Sequence, residues 1–160
     1  MPPTYRQRLR VEGATLATCG AIGTVILLAG VDQSRRSPAS TIGQLVVVGL
    51  LLGWLGPRSV GRAIASSRPV GVGQVGSGEP TPLWQLPMII AGLTGVAGGL
   101  AGWDAGLRVT GGCLLVGLAQ AVLLERLVAA RELRLGRRFY RIPGSRILRG
   151  TLLGYEAGSV

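Results

Sequence analysis

The sequence predicts an all-α, polytopic membrane protein, a four-transmembrane-helix bundle made of two helical hairpins. Three observations predict it. Four long charge-free stretches punctuate the 160 residues, and arginines collect beside them. The apolar content is aliphatic, with 48% hydrophobic residues but only 4% aromatic ones, whereas a soluble core of this size draws on aromatic rings for buried area. The 27 glycines would each cost about 1 kcal/mol relative to alanine inside a soluble helix, yet in lipid they let helix backbones approach closely.

Residues 1–13 read as a basic cytoplasmic arm carrying Arg6, Arg8 and Arg10. The first span, 14–31, lies within 19 uncharged residues between Glu12 and Asp32. Its apolar run follows Cys19 and no small-x-small cleavage pattern stands out, so it reads as an uncleaved anchor. The second span, 41–56, falls within 21 uncharged residues between Arg36 and Arg58. Residues 57–82 read as a flexible cytoplasmic loop, rich in Gly, Ser and Pro in its second half. Its Gly71, Gly73, Gly76 and Gly78 are followed by no Gly-Lys-Ser/Thr, which removes a phosphate loop. The third span, 83–103, lies within 24 uncharged residues between Glu79 and Asp104.

The fourth span, 106–128, is the weakest. Only 16 uncharged residues separate Arg108 from Glu125, about 24 Å of helix against roughly 30 Å of hydrocarbon. Arg108 and Arg126 are expected to reach back to the headgroups, with Asp104 one turn from Arg108 as its partner; a re-entrant segment is the competing reading. The helix is expected to run on to about Leu135 and stop at Gly136. Residues 129–160 form a basic cytoplasmic tail.

Arginine placement sets the orientation. Fourteen of the 17 arginines lie in the N-terminal arm, the central loop and the C-terminal tail, and three in the other two connections. The arginine-rich side is cytoplasmic by the positive-inside rule, which places the protein in the cell membrane with both termini inside. Trp54, Trp84 and Trp103 fall at expected span ends, the depth that indole prefers.

Small residues four apart recur along three spans and predict packing faces. Span two has Gly49 and Gly53. Span three has Ala91, Gly95 and Gly99, with a second row through Gly98 and Gly102. Span four has Gly117 and Ala121 beyond Cys113. Polar residues within the spans are few, and Gln120 is expected to make an interhelical hydrogen bond. Cys19 and Cys113 are assigned to the inner and outer halves of the membrane, as small buried hydrophobes.

These residues exclude most chemistry. There is no His and no Lys, both cysteines lie in spans and the seven carboxylates are scattered, so neither acid–base catalysis nor a metal or cofactor site is expected. No span carries a central ionisable group, which counts against an autonomous transporter. The tail is the most informative polar stretch: Arg137, Arg138 and Arg141, then Arg146 and Arg149, alternate with aromatic and aliphatic residues. Tethered beside a membrane, they suit the anionic lipids of the inner leaflet in preference to nucleic acid. The expected function is that of a non-enzymatic subunit, assembly factor or scaffold, partnered in the membrane by another protein or a second copy. The alternative is an oligomeric transport component, a pore or small transporter.

Overall fold

The structure is a computed structural model that describes residues 4–30, 38–69, 85–141 and 153–157. Helix α1 covers Tyr5–Gly30, α2 Pro38–Ala65, α3 Gln85–Ala101, α4 Trp103–Leu118 and α5 Glu125–Leu135. A six-residue π-helical stretch, Ala119–Leu124, joins α4 to α5 without a break. Three short strands complete the described chain: β1 (Arg68–Pro69), β2 (Arg137–Arg141) and β3 (Leu153–Ala157). The fold is therefore mostly helical, with a small sheet that the helix-only expectation lacked.

Three helical stretches are long and apolar enough to cross a membrane: Tyr5–Gly30, Ile42–Ala65 and Trp103–Leu135. The last contains the segment with the shortest charge-free run. Its length suffices because the helix does not end where the charges begin: 33 residues run on through Arg126 and Glu132. The shortfall lies on the third segment instead, where α3 has 17 described residues.

Helix α1 starts well before residue 14, because Thr4 and Gln7 form a capping box. The Gln7 N–H donates to Thr4 Oγ1 at 3.2 Å, and the Thr4 N–H donates to Gln7 Oε1 at 3.0 Å, satisfying two donors at the helix start. Residues 5–13 of the expected arm are thus helical and continuous with the first span. Helix α2 has Pro38 at its first position, where a missing N–H costs nothing, and it runs through Pro57 to Ala65. A mid-helix proline costs about 3 kcal/mol. Burial of Val60 and Ile64, at 4% and 8% exposure, offsets that cost and keeps 57–65 helical, so the beginning of the expected loop belongs to α2.

Helices α3 and α4 meet at Gly102, whose φ of 82° is open to glycine and rarely to other residues. Its N–H donates to Gly98 O, and its own carbonyl accepts from Ala105 N–H at 3.0 Å. At the other end, Gly136 closes α5 in the left-handed conformation, its N–H donating to Glu132 O; the expected stop at this glycine is observed.

The helices do not pair as two sequential hairpins. Helix α4 is the hub: α1, α2 and α3 all pack on it, while α1 and α2 hardly touch. Beyond the bundle, β3 lies between β1 and β2 in the sheet. β2 and β3 are antiparallel with Phe139 opposite Tyr155, and β1 runs parallel to β3 with Arg68 opposite Gly154. Under this sheet Leu9, Val60, Ile64, Val128, Phe139 and Leu153 form a compact core. One residue or more from α1, α2, α5, β2 and β3 meets there, so this polar end of the molecule is a folded cap.

Candidate functional site

The α1–α4 seam is the tightest contact in the molecule. A Cβ on Gly13 would lie 2.6 Å from Ala121 N and 2.8 Å from Gly117 O. One on Gly20 would lie 2.5 Å from Leu114 N and 2.7 Å from Thr110 O. One on Gly117 would overlap Ala17 N and lie 2.6 Å from Gly13 O. Backbone faces backbone over roughly 10 Å of antiparallel helix, from Gly13 to Gly20, and side chains carry the seam on from there, Thr110 against Gly23 and Leu27 against Gly106. The seam also carries a polar clasp: Thr24 Oγ1 donates to Thr110 Oγ1 at 3.0 Å, and the Thr110 hydroxyl donates to Gly106 O at 3.2 Å. Thr110 is 1% exposed, so lipid and solvent are excluded from it.

Gly117 and Ala121, which the sequence singles out, lie in this seam. Their partners Gly13, Ala17 and Gly20 escape the sequence reading, although small residues at 13, 17, 20 and 24 recur at the spacing of one helix face. The other predicted packing residues are not brought to a neighbour. Among the described residues, nothing beyond the helix's own adjoining turns lies within 4 Å of a Cβ built on Gly49, Gly53, Gly95, Gly98 or Gly99. Ala91 is exposed, and Gly102 serves the turn between α3 and α4. The same seam register corrects the depth of the cysteines. Across the antiparallel seam Gly20 sits between Thr110 and Leu114, so Cys19, one residue before it, falls level with Cys113.

Gln120 sits in the π-helical stretch, with its Cβ 3.0 Å from the position of a Cβ on Gly13. Among the described residues its buried Oε1 accepts no hydrogen bond, and Thr94 Oγ1 and Arg108 Nε are likewise buried without partners. The hydrogen bond expected across helices from Gln120 is thus not made through this oxygen. Among the described residues Asp104 and Arg108 form no ion pair.

The second feature is an open cleft of about 400 Å³ beside the cap, lined by Thr4, Arg6, Gln7, Arg10, Glu125, Glu132 and Arg138. Arg6 Nε donates to Glu125 Oε1 in an ion pair, pinning the start of α1 to the start of α5. Glu132 Oε1 accepts the Phe139 N–H at 3.1 Å, which fixes the start of β2 against α5. Arg137 lies over the Tyr155 ring, 4.3 Å from its centroid, and Phe139, one of the aromatic residues interleaved with the tail arginines, is 1% exposed within the cap core. The arginines at 137, 138 and 141 therefore project from a folded strand. Arg58 stacks on Trp54 at 4.5 Å, while Trp54 and Trp103 are both exposed. Trp84, Arg146, Arg149, the loop glycines 71–78 and residues 142–152 lie outside the described residues.

No protein-family profile matches the chain, and no curated protein or solved structure matches it significantly.

Proposed function

We propose that this chain is a non-enzymatic integral membrane protein of the cell membrane, with both termini cytoplasmic, that serves as a subunit, assembly factor or scaffold. The observation that carries this reading is the contrast between a closed seam and open outer faces. Leu50, Trp54, Met88, Leu93, Val96 and Leu100 are all more than half exposed, and the glycines between them have open space beside them. Lipid tails cover such faces without specificity, whereas glycine rows favour a second helix. The cap adds a basic surface on the side that the arginine distribution assigns to the cytoplasm.

The test is assembly in native membranes. With Gly95→Leu and Gly99→Leu together, in-membrane cross-linking from α3 should fall while the isolated chain in detergent keeps its melting temperature. If cross-linked species are absent from the natural chain, the scaffold reading fails. Reporter fusions after Ala39, Gly76, Asp104 and Val160 should read out, in, out, in; an outside C-terminus would overturn the topology.

A transport role is the second reading, and the buried polar atoms of Thr94, Arg108 and Gln120 favour it. Its test is solute or ion flux in proteoliposomes, which Gln120→Leu should change; equal flux in empty liposomes and in both variants sinks it.

A further inference from the structure

The charges around the cap cleft are not equivalent. Glu125 is engaged by Arg6, and Glu132 by the Phe139 N–H. Among the described residues Arg10 and Arg138 have no carboxylate partner, and both are exposed. They come from α1 and β2, so the fold brings together two guanidinium groups far apart in sequence. Three arginines against two glutamates leave the cleft one positive charge in excess. That balance suits a phosphodiester, which carries a single negative charge, better than a polyphosphate, which would also meet the two carboxylates. Guanidinium forks bind phosphate oxygens through paired charge-assisted hydrogen bonds, and the volume lies within the range of small-molecule sites.

Depth narrows the source. The uncharged run of α1 begins at Gly13, and Arg10 lies three residues before it on the polar side, about 4.5 Å outside the run. Thr4, at the far end of the cleft, is about 13 Å beyond. The headgroup layer on each side of a bilayer is roughly 5–8 Å thick, so Arg10 falls within it. We propose that this cleft binds a phosphodiester anion between Arg10 and Arg138, supplied by the headgroup of an anionic glycerophospholipid. The choice of source rests on α1 and α4 crossing the membrane; the phosphodiester chemistry does not, and neither depends on the scaffold reading.

The experiment uses the full chain in a neutral detergent, titrated separately with short-chain phosphatidylglycerol, short-chain phosphatidylcholine and deacylated glycerophosphoglycerol, with the thermal midpoint as readout. Phosphatidylglycerol should raise the midpoint, and phosphatidylcholine should need roughly tenfold more for the same shift. Joint Arg10→Gln and Arg138→Gln should weaken phosphatidylglycerol binding about tenfold or more, as expected for losing charge-assisted hydrogen bonds. Arg134→Gln removes the same charge from the exposed last turn of α5 and should change binding less than about twofold. If the double variant does not fold, the single variants decide, each expected to weaken binding about threefold. A shift from lipid alone assigns the bilayer as source, and an equal shift from glycerophosphoglycerol assigns a soluble phosphodiester. No shift from any probe overturns the proposal. So does unchanged binding by the Arg10 and Arg138 variants, or an equal loss with Arg134→Gln.

Discussion

Gly20 and Gly95 occupy apolar helices of similar composition, and their surroundings differ completely. A Cβ on Gly20 would collide with the backbone of α4, whereas one on Gly95 would meet no other element among the described residues. The first glycine is a structural requirement of the fold; the second is a position that no other described part of the chain uses. The difference teaches that a row of small residues in a membrane helix marks permission for close approach. Whether the permission is used depends on the partner helix. On α1 it is used because α4 and its π-helical continuation offer Gly117, Ala121 and the short side chain of Thr110 in matching register.

The sharpest way to break this contrast is at Gly117. Replacement by Leu must force the α1 and α4 backbones apart, so the variant should lose about 3 kcal/mol or more, at the upper end for overpacked cores. Denaturant or thermal unfolding in detergent measures it, and a change below about 0.5 kcal/mol would mean that the seam is not a stabilising contact.

Next comes the cap, which tests how α2 is held. Within the bundle α2 touches α4 through side chains such as Leu45 against Gly111, but its Val60 and Ile64 are buried in the cap core. Phe139→Ala should cost about 3 kcal/mol. Hydrogen exchange should then rise at residues 60–65 while amides along the α1–α4 seam keep their protection. Equal loss of protection at both would mean that seam and cap are one cooperative unit.

Thr110→Val is smaller. It removes the clasp to Thr24 while keeping the shape, and hydrogen bonds of this kind in membranes are worth about 0.6–1.7 kcal/mol. A double-mutant cycle with Thr24→Val measures the coupling directly; additive losses would show that the two hydroxyls act independently.

The smallest effect belongs to Gly95→Ala. In the isolated chain it should be neutral or stabilising, up to about 1 kcal/mol, since alanine is the better helix former. A clear loss of stability in the purified chain would show that α3 already has a neighbour there.

Charge-free runs and arginine bias are enough to locate the apolar helices, because hydrocarbon thickness imposes their length whatever the packing. Gly136 as a stop is equally local, a left-handed position that one residue type fills. Partnering is not local. Nothing in the α3 glycine row distinguishes it from the α1 row except which helix lies opposite, and that is a property of the whole fold. The cap escapes for a related reason. Leu9, Val60, Ile64, Val128, Phe139 and Leu153 come singly or in pairs from separate stretches of the chain, too sparse to produce periodicity in any one of them. Val60 and Ile64 do offer a sign, two apolar residues four apart beyond Pro57, outweighed by the breaker beside them. In the cleft, basic residues are visible one stretch at a time. That Arg10 and Arg138 share one opening is apparent only from the packing of β2 against the start of α1.

The order in which the ribosome delivers these segments gives the seam a further meaning. The stretch opposite Gly20 is made about ninety residues after it, which at cellular rates of roughly 5–20 residues per second is a delay of some 5–20 s. For that interval the smooth face of α1 stands against lipid or against whatever helix is nearby. The hub of the bundle arrives last, and the cap after it, so the newborn chain passes through a stage in which its best docking face is uncovered. Chains arrested after residue 100 should therefore cross-link through Gly13 and Gly20 positions to other membrane helices, and chains released in full should not.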